Sequence, residues 1–180
     1  MTQFTISQPV SVSPGQIGDA LIFPLWDVNN LNTLIAIESF TLRTDLHLVR
    51  FRDQAGSNAL EFTLCLTPFS TWAAAVFRDG SLIRVQSSSA VMPLNTTLAG
   101  NPTLGSIEVI GLRGTTVNTS DTAICTDSSL GGDVLNSAVM GRVYYMNPLQ
   151  SLILAYGADA VALKDFGATK PPHERHDAGE

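Results

Sequence analysis

The sequence predicts an all-β protein folded as an antiparallel β-sandwich, jelly-roll or immunoglobulin-like. Three observations predict it. Short apolar or alternating segments recur along the chain, turn residues separate them at close spacing, and a helical period is almost absent. Charged residues make up only 14%, against ~25% in ordinary soluble domains. Ser, Thr, Asn, Gln and Gly must then cover the surface, which suits a secreted or assembled β-protein.

The first segment, Thr2–Ser13, alternates: Phe4, Ile6, Val10 and Val12 fall on one face, with Thr5, Ser7, Ser11 and Ser13 on the other. Pro9 removes a ladder donor, so the segment reads as an edge strand or an interrupted arm. Pro14-Gly15 then breaks the chain. Ala20–Val28 is nearly continuous in apolar character, and its Pro24 predicts an edge or a bulge. A turn at Asn29–Asn32 leads to a strand at Thr33–Phe40, and another follows at Leu46–Arg52. Asp53–Asn58 reads as a hairpin loop in which Gly56 supplies a positive φ. Leu60–Leu66 returns with Phe62, Leu64 and Leu66 on one face.

Trp72–Arg78 is a strand despite its three alanines, and Asp79-Gly80 turns it into Ser81–Gln86. Ser87–Gly105 is rich in Ser, Asn, Thr, Pro and Gly and is expected to be a long surface loop. Ser106–Leu112 is a strand, Gly114–Asp133 a second polar loop, and Val139–Met146 with Leu152–Tyr156 a hairpin. Ala158–Phe166 fits a short helix or a last strand. The organisation expected is an arm over residues 1–13, a sandwich over 14–166 and a polar tail over 167–180.

The chain has 180 residues, the size of one domain, and 44% hydrophobic residues, enough for a sizeable core. Net charge is −6 and no basic face is visible. Phosphate neutralisation supplies most non-specific nucleic-acid affinity, so nucleic acid is excluded as an expected partner. No apolar run approaches the roughly 18 residues of a membrane span. No signal peptide heads the chain, so export implies a leader removed before Met1. Cys65 and Cys125, about sixty residues apart, could close a disulfide contributing about 4 kcal/mol or remain buried thiols.

Gly18–Pro24, Asn32–Ile35, Val49–Arg52, Leu60–Phe62, Leu66-Thr67-Pro68 with Trp72, and Gly105–Ile110 resemble, in order and spacing, a family of uncharacterised exported bacterial proteins with an N-terminal β-domain. The resemblance runs from about Gly18 to Leu112, and the chain is shorter than the family members. It implies export and a surface or extracellular place. It implies no activity and no catalytic residue.

The residues that could carry chemistry have plainer readings. His173 and His176 are three apart in a polar tail, which is not the zinc-protease spacing. His47, between Leu46 and Leu48, reads as a sheet or core histidine. The serines Ser70, Ser87–Ser89 and Ser128-Ser129 lack a nucleophile elbow. Asp121 and Asp127 flank Cys125 without a known calcium spacing. Glu38, Glu61 and Glu108 lie on strands, where a glycosidase-like pair would need a defined separation. Trp26, Trp72 and Phe69 could form a binding platform but fit a core better. Asn95-Thr96-Thr97 and Asn118-Thr119-Ser120 are glycosylation sequons in expected loops. No catalytic residue, metal or cofactor is expected.

The arm carries most of the functional argument. An alternating strand set apart by Pro14-Gly15 can leave its domain and complete a neighbour's sheet, or serve as the first edge strand of its own sandwich. Head-to-tail repetition of the first arrangement gives an open filament. The sequence therefore points to a secreted structural subunit, self-associating at the cell surface through Phe4, Ile6, Val10 and Val12. The alternative is a monomeric extracellular module that binds carbohydrate or another surface ligand with its long loops.

Overall fold

A computed structural model describes residues 10–12, 16–42, 44–112, 138–147 and 152–163. The elements in these residues are all strands: β1 (Val10–Val12), β2 (Ala20–Asp27), β3 (Asn32–Ser39), β4 (Asp45–Asp53), β5 (Asn58–Leu66), β6 (Thr71–Asp79), β7 (Leu82–Ser87), β8 (Leu94–Thr97), β9 (Leu104–Leu112), β10 (Val139–Asn147), β11 (Leu152–Gly157) and β12 (Asp159–Leu163). They form two six-stranded antiparallel sheets. One, sheet A, has the order β1-β12-β2-β9-β4-β5, and the other, sheet B, β11-β10-β3-β6-β7-β8. The expected sandwich is the fold. Ala158–Phe166 resolves in favour of strand, over Asp159–Leu163.

Alternation decides which side chains enter the core. On β3, Thr33, Ile35, Ile37 and Ser39 are buried and the residues between them are not. On β9, Ile107 and Val109 point inward while Glu108 points out. The inner faces meet around an aromatic chain. Trp26 and Phe51 lie edge to face at 6.5 Å, Phe51 and Phe62 stack at 6.4 Å, and Phe62 reaches Trp72 on the other sheet at 5.6 Å. Both indole N–H groups are satisfied within this core, Trp26 Nε1 by the Arg52 carbonyl at 3.2 Å and Trp72 Nε1 by the Met92 carbonyl at 2.9 Å.

Two irregularities shape sheet A. Opposite Ser106, β2 carries one extra residue: Phe23 pairs with Ile107 but Trp26 with Gly105. This is the bulge that Pro24 predicts. The second lies between Phe51 and Arg52, where Ala59 is the extra residue. The hairpins follow their sequences. Asp53 Oδ1 accepts from the Ala55 and Ser57 amides, with Gly56 at φ 82°. Gly80, at φ 61°, occupies the first central position of the two-residue β6–β7 turn, as a II′ turn requires.

Ser87–Gly105 departs from the expected surface loop. It contains β8, buries Leu98, and packs Val91, Met92 and Leu94 against the core. Apolar side chains spaced among the Ser, Asn and Pro residues drive this. The Leu98 amide bonds the Ile83 carbonyl and the Ala99 amide bonds the Ala59 carbonyl, both at 2.9 Å, so the segment fastens sheet B to sheet A. The Asn95 sequon accordingly sits on a strand.

A side chain at Gly105 would collide with the Arg52 carbonyl, the atom that receives the Trp26 indole. Gly105→Ala is therefore expected to cost about 3 kcal/mol, the upper end for overpacking. Chemical denaturation checks this, and a change within experimental error would show that β4 and β9 separate freely.

Candidate assembly edge

One flank of the sandwich brings together β1 and β12 of sheet A with β11 and β10 of sheet B. β11 and β12 are nearly one strand that changes sheet at Ala158, whose amide bonds the Gly141 carbonyl at 2.8 Å. The crossing needs glycine. A Cβ on Gly141 would strike the Phe23 ring, and one on Gly18 would lie 2.6 Å from the Val161 carbonyl oxygen. Gly18 in turn bridges Val139 on sheet B, exchanging hydrogen bonds of 3.1 and 3.0 Å.

The four expected arm residues divide. Phe4 and Ile6 lie outside the described residues. Val10 and Val12 belong to β1, which pairs antiparallel with β12: Val10 opposite Leu163 and Val12 opposite Val161. Over its described residues β1 is thus a three-residue edge strand. Its support, β12, is itself held to β2 through only Asp159, Ala160 and Val161.

The bulge in β2 frees the Leu25 backbone from the ladder, and sheet B satisfies it. Tyr145 Oη and Tyr156 Oη both donate to the Leu25 carbonyl, at 2.7 and 2.6 Å, and the Leu25 amide donates to Tyr156 Oη at 3.3 Å. The rings lie 5.7 Å apart. Burial, then the Tyr156 hydroxyl, holds the Tyr145 phenol far above its ordinary pKa, so it remains a donor throughout the physiological range.

The other candidate groups are placed in structural roles. Arg50 lies between Glu61 on β5 and Glu108 on β9 in the ladder. It bonds Glu61 at 2.6 Å, while Arg52 bonds Glu108 at 2.7 Å, which raises the Arg52 pKa. Solvent screens such pairs, so they add little to stability. Glu38 projects from sheet B, on the opposite outer face, away from Glu61 and Glu108, which flank Arg50 on sheet A. Ser70 Oγ donates to the Thr67 carbonyl and Ser87 Oγ to the Ala73 carbonyl. Trp26 and Trp72 are core residues, and Phe69, 64% exposed, stands apart. Cys65 is disulfide-bonded; Cys125, the chain's other cysteine, lies outside the described residues, as do His173, His176, Asp121, Asp127, Ser128, Ser129 and Asn118. Among the described residues no three His, Cys, Asp or Glu side chains could share a metal, and no helix is long and apolar enough to cross a membrane.

His47 is the core histidine among the readings the sequence offers, whereas the tyrosine clasp was missed. His47 is fully buried, and neither ring nitrogen completes a hydrogen bond. Burial lowers its pKa from 6.5 to about 4, a nearby Asp45 backbone group offsetting this in part. The tyrosine clasp had only the Tyr144-Tyr145 pair and Tyr156 as a signal. Comparison with protein-family models, curated proteins and solved structures finds no match.

Two measurements check these features. Between pH 6.5 and 4 the unfolded chain takes up a proton that folded His47 refuses, so stability falls as pH drops through that window. The loss should approach about 3 kcal/mol, and His47→Leu should flatten this part of a denaturation profile. A profile unchanged by the substitution would place the ring in contact with water. Separately, Tyr156→Phe leaves the Leu25 amide without an acceptor and should cost about 1–2 kcal/mol in the same assay.

Proposed function

We propose that the chain is a structural subunit of an extracellular or cell-surface assembly, joined by β-strand addition through its N-terminal strand. The observation that carries this reading is the β1 slot. Three residues of β1 complete the edge of β12, and a β1 from a neighbour could make the same three pairings in the same register. Exchange would then cost little in hydrogen bonds, and Pro14-Gly15 supplies a break at which the arm could change direction. Low charge, a Ser/Thr/Asn-rich surface and the resemblance to exported proteins support an extracellular place.

A second reading, a ligand-binding module, has one observation in its favour. The outer face of sheet B holds a shallow groove of about 320 Å³, floored by Leu34, Ala36, Ala73 and Ala75 and flanked by Gln86 and Tyr144. An aromatic ring beside polar side chains suits a sugar ring. This reading no longer needs Ser87–Gly105 as a binding loop.

Deletion of residues 2–13 tests the first reading. Full-length protein should form open polymers visible by electron microscopy, the truncated protein should not, and a peptide of residues 2–13 should bind the truncated body. Filaments that persist after truncation would sink the proposal.

A further inference from the structure

We infer that β11 is a second assembly edge, one that pairs antiparallel with β11 of another copy about a twofold axis. It ends sheet B, and among the described residues nothing bonds its outer side. In an antiparallel ladder alternate N–H and C=O groups face away from the neighbouring strand, so among the described residues this edge presents a row of unmet donors and acceptors.

The other three edges are protected and this one is not. β1 is three residues long. β8 is four residues long and carries Asn95, Thr96 and Thr97. β5 carries Glu61, and its Ala59 carbonyl is taken by the Ala99 amide. β11 reads Leu-Ile-Leu-Ala-Tyr-Gly, without a charge or a proline. Ile153 is 63% exposed and Leu154 54%. Leu25, held against β11 by the Tyr156 hydroxyl, is exposed as well and extends the apolar border.

The sequence of the edge selects its occupant. Twofold pairing sets the residue on the axis against its own copy and every other residue against its mirror position, so a charge near the axis would meet a like charge. β11 has none to oppose. Its exposed Ile153 and Leu154 are apolar, which suits a strand of the same kind. Pairing would join two sheets B into one continuous sheet and cover Ile153 and Leu154. It uses a different edge from the β1 slot and does not depend on arm exchange. Each subunit carries a net charge of −6, so pairing should strengthen as salt screens the repulsion.

The test uses the full chain and the chain lacking residues 2–13, by sedimentation and by cysteine crosslinking. Both should show a pairing that tightens with salt. Ile153→Lys and Leu154→Lys, at exposed positions, should each weaken it at least about tenfold while circular dichroism stays unchanged. In a scan of Ile153→Cys, Leu154→Cys and Ala155→Cys, the residue facing itself across the axis should crosslink to a dimer. A monomer under all conditions overturns the inference. So does a pairing that ignores both lysines and yields no crosslink, or one that vanishes with the arm alone.

Discussion

Pro24 sets a constraint on which much of the sandwich depends. Proline cannot donate to a ladder, and β2 lies inside its sheet, so the strand can pass Pro24 only by bulging. The bulge shifts the alternation. Leu21 and Phe23 point inward, Pro24 and Leu25 both point out, and Trp26 returns to the core. Without the extra residue Leu25 would take the inner position and Trp26 would face solvent. The largest side chain of β2 thus reaches Phe51 because a proline precedes it by two residues. Two consequences follow. The buried indole needs an acceptor, found in the Arg52 carbonyl, and its close approach is compatible only with glycine at position 105. The freed Leu25 backbone needs partners outside its own sheet, and Tyr145 and Tyr156 provide them.

The same bulge makes the two flanks of the molecule unequal. On the β5 and β8 flank, a second bulge at Ala59 turns a carbonyl toward Ala99, and the segment around Leu98 ties the sheets together. On the opposite flank the sheets are joined by a strand that crosses between them at Ala158 and by the tyrosine clasp. That flank ends in β1, three residues over its described part, and in β11, whose outer side nothing bonds among the described residues. Among the described residues the two flanks differ in what their edge strands carry: Glu61, Asn95 and two threonines on β5 and β8, an uncharged apolar run on β11.

The fold was legible because period-2 alternation and turn chemistry are local. Glu108 flanked by inward Ile107 and Val109, or Asp79-Gly80 before Leu82, state their geometry in a few residues. Pro24 announced its bulge for the same reason. What was not legible is non-local. Leu94 and Leu98 lie among polar residues, and only the position of Ile83 and Ala59 in space shows that Leu98 has a core to enter. Tyr156 is 131 residues from Leu25, and no pattern in either segment names the other. The edge status of β11 is equally a property of sheet order: Leu152–Gly157 reads as an ordinary apolar strand until its place at the end of sheet B is known.

Among the described residues, the polar chemistry is largely internal to the fold. Arg50, Arg52 and Arg84 are each bound to a carboxylate, and Glu61 and Glu108 are committed to those pairs. Ser70, Ser87 and Asp53 close turns and strand ends. At the sheet ends, main-chain amides and carbonyls remain beside the exposed side chains, and such groups recognise other strands. On the reading proposed above, a subunit joined by strand addition, the position of each edge is then the functional variable of the fold.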